Sequence, residues 1–371
     1  MPENTPSDDR SAWVALHLVP GLGSRSIHKL IDRFGDPERV FRAGLKELQN
    51  AAGLAGDVAG RIRRKAFSTD PDRELRRVER LGGRVLTFRD PAYPRALRQI
   101  PGPPMVLYLR GRDLPGSQDL VTLVGSRTPT PYGVKTAGAL ASGLAERGIG
   151  VVSGMARGID AAAHWGAFGA GGYTAAVLGT GVDRIYPRIN RELFSRLLER
   201  GTVLSEFPLG TPPEGRNFPM RNRIVSGLSR GVVVVEAARR SGSLITASLA
   251  LDQGREVMAV PGSVRSQRSA GCHFLLKQGA ALVESAGDIL EVLGLERGTA
   301  TPDRRSEGAG RGPALDPKEK RVYDLLGDDP VHIDEIVTAS GMAVQHVLGL
   351  LTRMELTGLI EQLPGKMFVR T

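Results

Sequence analysis

The residues best suited to chemistry in this chain are Gly125, Ser126 and Arg127, which directly follow the apolar run Leu120 to Val124. Glycine lets a phosphate come close to the backbone, and free N–H groups at a helix start attract an anion. Arginine adds a fixed charge on a planar fork that matches phosphate. The same segment also reads as an ordinary βα turn with a surface arginine. The ends of other apolar runs repeat this content: Ser153 and Gly154 with Arg157, Arg188 after Tyr186-Pro187, Phe218 with Arg221, Asn222 and Arg223, and Ser241, Gly242 and Ser243. Small residues, hydroxyls and guanidiniums together suit phosphates or nucleotides. Phe218, Tyr186 and Tyr132 have the ring faces on which single-strand binders stack bases, and a place in the core is the alternative.

Other chemistries lack their residues. Asp160, Glu206 and Glu236 are the obvious carboxylates among these loops, and no two read as an acid–base pair. Asp160 is expected to anchor its helix, Glu236 to orient an arginine, and His164, one turn after Asp160, to be a packed, hydrogen-bonded histidine. No catalytic residue is assigned. There is no G-x-x-x-x-G-K-[ST] and no G-x-G-x-x-G, so neither ATP hydrolysis nor ordinary dinucleotide binding is supported. The six histidines are scattered and Cys272 is the single cysteine, which leaves no metal ligand set, no cofactor and no disulfide framework. A net charge of +10 and a pI of about 10.1 make polyanions the natural partners. No apolar run is long enough to span a membrane and no signal-peptide core is seen, so a cytoplasmic protein is expected.

The elements that must position these loops alternate. Strands are expected at Leu120–Val124, Gly150–Val152, Ala175–Leu178, Val203–Ser205, Val232–Val235, Val257–Val260 and Ala281–Val283, with helices between them. That pattern is a doubly wound, mostly parallel, Rossmann-like sheet, whose ligands sit beyond the carboxyl ends of its strands. Two further strands are read at Arg84–Phe88 and Met105–Leu109. Residues 1–10 are expected to be disordered. Residues 11–70 read as a helical domain with two glycine turns, at Val19–Ser26 and Ala52–Asp57, that resemble helix-hairpin-helix units. The extended sheet domain then covers 71–295, a Gly-rich charged linker 296–315, and a winged-helix-like domain 316–371. The second helix of that last domain carries Arg353 alone, which favours a protein-contact or structural role.

Taken together, the motifs V-G-S-R-x-x-x-x-Y-G, S-G-M-A-R-G-I-D-A-A-A-H, A-V-L-G-T-G-V-D-R-I-Y-P, F-P-M-R-N-R-I-V-S-G-L, V-V-E-A-x-x-x-S-G-S-L-I-T-A and V-P-G-S closely resemble the DprA (Smf) family of DNA-processing proteins of natural transformation. The resemblance is dense over about residues 84–285, and the flanking helical and winged-helix segments match the family's usual arrangement. It implies a non-enzymatic protein that binds and protects incoming single-stranded DNA and loads the RecA recombinase onto it. It implies a DNA pocket built from Gly125, Ser126, Arg127, Arg188, Phe218, Arg221, Asn222 and Arg223, with Ser153, Gly154, Arg157, Ser241, Gly242 and Ser243 on the rim. It further implies homodimers that meet near His273, Leu276, Lys277 and Leu282, and contact with other single-strand-binding or transformation proteins. Several relatives carry lysine where Arg188 stands here, which keeps the charge and changes its geometry.

Two other readings compete. Phosphoribohydrolases of related fold cleave nucleoside monophosphates, but they carry a P-G-G-x-G-T loop where this chain reads Pro261-Gly262-Ser263-Val264-Arg265. A duplex-DNA regulator would act through the winged helix, and the weakly basic second helix speaks against it.

Overall fold

Apolar runs without alternation can be covered on both faces, and such runs build the centre of the larger part of the chain. The computed structural model describes residues 6–295, 315–327 and 330–370. They fall into two compact units, the larger comprising residues up to Pro129 and Gly133–Leu295.

The larger unit starts with six helices, α1 (Pro6–His17), α2 (Ser24–Phe34), α3 (Pro37–Arg42), α4 (Leu45–Ala52), α5 (Gly56–Arg63) and α6 (Pro71–Arg80). Helix α1 begins inside the stretch expected to be disordered, so that expectation fails for residues 6–10. Residues 1–5 lie outside the described residues. Trp13, Leu16, Leu30, Leu48 and Ile62 are fully buried between these helices. Both glycine turns join helix pairs, with Gly21 and Gly53 at positive φ.

Nine strands follow: β1 (Gly83–Thr87), β2 (Val106–Gly111), β3 (Leu120–Val124), β4 (Gly150–Ser153), β5 (Thr174–Val177), β6 (Thr202–Ser205), β7 (Gly231–Val234), β8 (Glu256–Ala259) and β9 (Ala281–Leu282). The helices between and after them are α7 (Arg95–Arg98), α8 (Pro131–Glu146), α9 (Ile159–Gly169), α10 (Arg191–Arg200), α11 (Asn217–Gly227), α12 (Gly242–Asp252), α13 (Ala270–Lys277) and α14 (Ala286–Val292). The strand order is β1-β2-β6-β5-β4-β3-β7-β8-β9. β3 to β9 are parallel, and β1 and β2 add an antiparallel margin beside β6. Every residue of β3 to β7 is buried. The chain winds outward from β3 to β6 and then returns to place β7 on the other flank of β3. This reversal opens a crevice at the carboxyl ends of β3 and β7, where doubly wound sheets bind ligands.

The smaller unit holds α15 (Pro317–Asp324), β10 (Val331–His332), α16 (Ile333–Ser340), α17 (Val344–Leu356), β11 (Ile360–Leu363) and β12 (Met367–Arg370). Its sheet, β10-β12-β11, is antiparallel, and with the helix pair it forms a winged helix. Val322, Ile336, Val347, Leu351 and Phe368 make its core. Arg353, the cation of α17, pairs with Glu319 at 3.1 Å. The exposed face of α17 shows Val344, Leu348 and Leu356. From 315 to 371 there are nine acidic and six basic residues, a balance unlike that of a duplex-DNA reader. The expected linker, 296–315, lies outside the described residues apart from Leu315.

Candidate nucleic-acid interface

The loop after β3 is held from both sides. A Cβ on Gly125 would sit 2.7 Å from Ile159 and 2.8 Å from the Glu236 carbonyl oxygen, so only glycine fits. The Ser126 N–H donates to Glu236 O at 2.7 Å, and the Ile159 N–H donates to Ser126 O at 3.1 Å. Arg127 therefore leaves a fixed turn into solvent. Its guanidinium lies 5.5 Å from the centre of the Phe218 ring. Phe218 in turn lies 5.6 Å from Tyr186, the two rings inclined by 33°. Guanidinium and rings form a stacking surface above the crevice.

The loop after β4 stores strain. Met155 is fully buried with φ of 56°, a conformation costly for a non-glycine residue, by about 1–3 kcal/mol. Asp160 holds it from one side, accepting N–H bonds from Gly154 (3.1 Å) and Ala156 (3.3 Å). Asn190 holds it from the other, its amide donating to Met155 O at 2.9 Å and Ala156 O at 3.1 Å. The turn delivers Arg157, exposed and without an ion pair among the described residues, to the rim.

Beneath the crevice lie two buried opposite charges, Arg221 and Asp160, which act on each other electrostatically. Arg221 Nη1 donates to the Gly154 carbonyl at 2.8 Å and to the Val177 carbonyl. Burial lowers its pKa to about 10, partly opposed by Asp160, and it stays cationic at neutral pH. Burial likewise raises the Asp160 pKa, with Arg221 as the main opposing influence. The Arg221 charge thus comes up through the floor of the site, close to Gly154, where a Cβ would meet the guanidinium at 2.6 Å.

These parts line one groove of about 730 Å³. Gly125, Ser126, Arg127, Gly154, Phe218, Arg221, Asn222, Ser241, Gly242 and Ser243 all border it, as the sequence pattern expected. The start of α12 points its N–H groups there, and Ser241 caps it by accepting from the Ser243 N–H at 3.3 Å. Arg157 borders an adjoining pocket of about 80 Å³ with Gly179 and Tyr186. Among the described residues, acid near the groove is sparse, and Glu214, between the lining residues Pro213 and Gly215, is paired with Arg216 at 2.6 Å. No acidic residue occurs between Asp119 and Glu146, between Glu214 and Glu236, or between Glu236 and Asp252. The one carboxylate in its lining is Asp160, satisfied from within.

Three expected site residues lie elsewhere. Ser153 is fully buried and donates to Leu123 O at 2.6 Å, so it staples β4 to β3 and does not reach the rim. Arg223 binds both carboxylate oxygens of Glu206, at 2.5 and 2.6 Å. The Ser24 hydroxyl and the His17 ring bond the same glutamate, so Arg223 fastens α11 to the N-terminal helices. Helix geometry explains the difference: two residues turn about 200°, so Arg221 and Arg223 face opposite ways, while Phe218, Arg221 and Asn222 share a face. Arg188 is exposed in a short turn, Arg188–Asn190, beside the pocket and outside the groove lining. Arg240 was missed and borders the groove. Its signal was the Arg239-Arg240 pair just before the Ser241 cap. Asn190 and Asp160, which hold the Met155 turn, are visible only in three dimensions.

His164 is structural, as expected. The Thr174 hydroxyl donates to Val151 O, so it accepts from His164 Nδ1 at 2.6 Å, and buried Nε2 has no partner. Burial lowers the His164 pKa to about 3. Below pH ~6.5 the unfolded chain takes up a proton that the folded one refuses. Stability should therefore fall by about 1.4 kcal/mol per pH unit from this group between pH 6 and 4. Denaturant unfolding across that range should show the slope in wild type and lose that share in His164→Asn.

At the far edge of the sheet, Leu276 and Lys277 lie on α13, and Leu282 is 52% exposed on β9. His273 is half-buried and bonds Gly262 O at 3.0 Å.

Residues 84–294 match the family model described as DNA recombination-mediator protein A, and residues 308–366 match a DprA winged helix domain. The chain belongs to the DNA recombination-mediator protein A family. Among its relatives, Protein Smf of Synechocystis is 34% identical, with 98% of this chain and 99% of that protein covered. The DNA processing protein DprA of Streptococcus pneumoniae is 44% identical over 54% of this chain and 71% of its own length. The X-ray structure of the pneumococcal protein superposes with a TM-score of 0.69 at 34% identity, covering 76% of this chain and 97% of that one. A structure of DNA processing protein A from Helicobacter pylori, described for its single-stranded DNA binding mode, gives 0.51 at 30% identity, covering 56% and 95%. Membership in this family agrees with the Rossmann-like sheet and winged helix. Among the described residues no helix is long and apolar enough to cross a membrane.

Proposed function

We propose that this protein binds single-stranded DNA in the groove beyond β3, β4 and β7, without catalysing a reaction, and serves DNA processing in natural transformation. The observation that carries the reading is the Arg127–Phe218–Tyr186 stack above a groove whose loops hold arginines and no free acid. Guanidiniums take phosphates, rings take unpaired bases, and a stacked duplex offers no such faces. Binding should depend steeply on salt and weakly on base sequence. In this reading the protein acts in the cytoplasm, protects the incoming strand and loads RecA onto it. It does so as a homodimer joined through α13 and β9. Support comes from the family membership and from Leu282 and Phe274, apolar and exposed along that edge.

The test is fluorescence anisotropy with a labelled oligothymidylate and a duplex of equal length. Tighter binding of the single strand supports the reading, and preference for duplex contradicts it. For the dimer, Leu282→Arg should halve the mass seen by light scattering at micromolar protein. An unchanged mass would place the interface elsewhere.

A further inference from the structure

We propose that residues 263–268, the loop after β8, form a second phosphate-binding subsite that carries a single strand out of the groove on the β8 side. The proposal rests on the single-strand reading above. β3, β7 and β8 are consecutive neighbours, so their loops follow one another along the carboxyl edge of the sheet. From β3 to β8 is two inter-strand steps, about 10 Å. The β8 loop touches the loop that carries Arg127: Arg268 Nη1 donates to Thr128 O at 2.5 Å.

The loop is a fixed platform. Ser266 N–H donates to Ser263 O at 3.0 Å and Ser269 N–H to Ser266 O at 3.1 Å. The N–H groups of Arg265 and Arg268 donate to the hydroxyls of Ser263 and Ser266, each at 3.3 Å. Two guanidiniums leave this platform within four residues. Arg268 is spent on a carbonyl, which leaves its charge uncompensated. Arg265 is exposed and has no side-chain partner among the described residues. No acidic residue occurs between Glu256 and Glu284, so nothing on this segment competes with a phosphate. Val264, in the same turn, is 88% exposed. An apolar side chain beside Arg265 suits a nucleotide's mixed surface, a sugar or base face beside its phosphates. A structural role accounts for Arg268 through Thr128 but leaves Arg265 without one. The ligand class is the phosphodiester backbone of a strand longer than the groove, not a mononucleotide.

The test measures the full-length protein against an oligothymidylate of about 5 nucleotides and one about four times as long. Arg265→Ala should leave the short ligand's affinity unchanged and weaken the long one about five-fold, as expected for one exposed charge contact. The slope of log affinity against log salt should fall by about 0.7 for the long ligand alone. Arg265→Glu should deepen the loss for the long ligand. Equal losses at both lengths would make Arg265 part of the groove, and no loss at either would remove the subsite; both overturn the proposal. If the wild-type protein binds neither oligonucleotide, the single-strand reading itself falls, a result distinct from failure of the subsite.

Discussion

Arg127→Ala should weaken oligothymidylate binding by roughly 10- to 100-fold, the about 1.5–3 kcal/mol that a charged hydrogen bond commonly contributes. Among the described residues the side chain has no ion pair to lose, and it is exposed, so thermal stability should change little. Two effects are removed together. One is a phosphate contact, whose loss should lower the salt slope by about 0.7 for a single strand. The other is the guanidinium stacked 5.5 Å from Phe218, a contact of about 0.5–1 kcal/mol at an exposed site. Arg127→Lys separates them: it keeps the charge and loses the planar fork. It should keep the wild-type salt slope with an intermediate affinity. A titration series in salt for the three proteins checks this. Unchanged affinity in the alanine variant would move the DNA elsewhere.

The second large effect is on stability. Asp160→Ala should cost about 3–5 kcal/mol, because it leaves Arg221 buried without its counter-charge. It also releases the Gly154 and Ala156 N–H groups that Asp160 accepts, and with them the strained Met155 turn. Arg221→Met should cost less, since it removes the cation itself and puts an apolar chain in the space. The remaining Asp160 would then be free to become neutral, as burial already raises its pKa. The double variant Asp160→Asn with Arg221→Met should be more stable than Asp160→Ala alone. Urea unfolding of the three variants and wild type measures the order. Equal stability of Asp160→Ala and wild type would mean that the pair does not hold the groove floor.

The parallel sheet was legible because Leu120–Val124, Gly150–Ser153 and Gly231–Val234 are short apolar runs without alternation, the first followed by Gly125 and the other two opened by glycine. The same pattern marked the loops, since ligand residues in such sheets follow the strands. It could not say which residue of a loop or helix faces outward. The resemblance places Ser153 on the rim, yet it is the last residue of β4 and wholly inside. The resemblance places Arg223 in the pocket beside Arg221, although helical periodicity turns the two apart. Its partner Glu206 comes from a different strand end, 17 residues away, and the pairing emerges only when α11 packs. The support that Asn190 gives Met155 spans 35 residues and leaves no local trace. The charge of the winged helix, by contrast, was countable from the start. Its meaning became plain only with Arg353 seen paired to Glu319.

The most direct measurement is photocrosslinking of a 5-iodouracil oligonucleotide to the full-length protein, followed by mass spectrometric mapping of the joined peptide. The account predicts crosslinks at Phe218 or Tyr186, the rings that border the groove, and their loss when unlabelled oligothymidylate competes. Crosslinks confined to the winged helix, residues 315–370, or to the helical segment before β1 would contradict it.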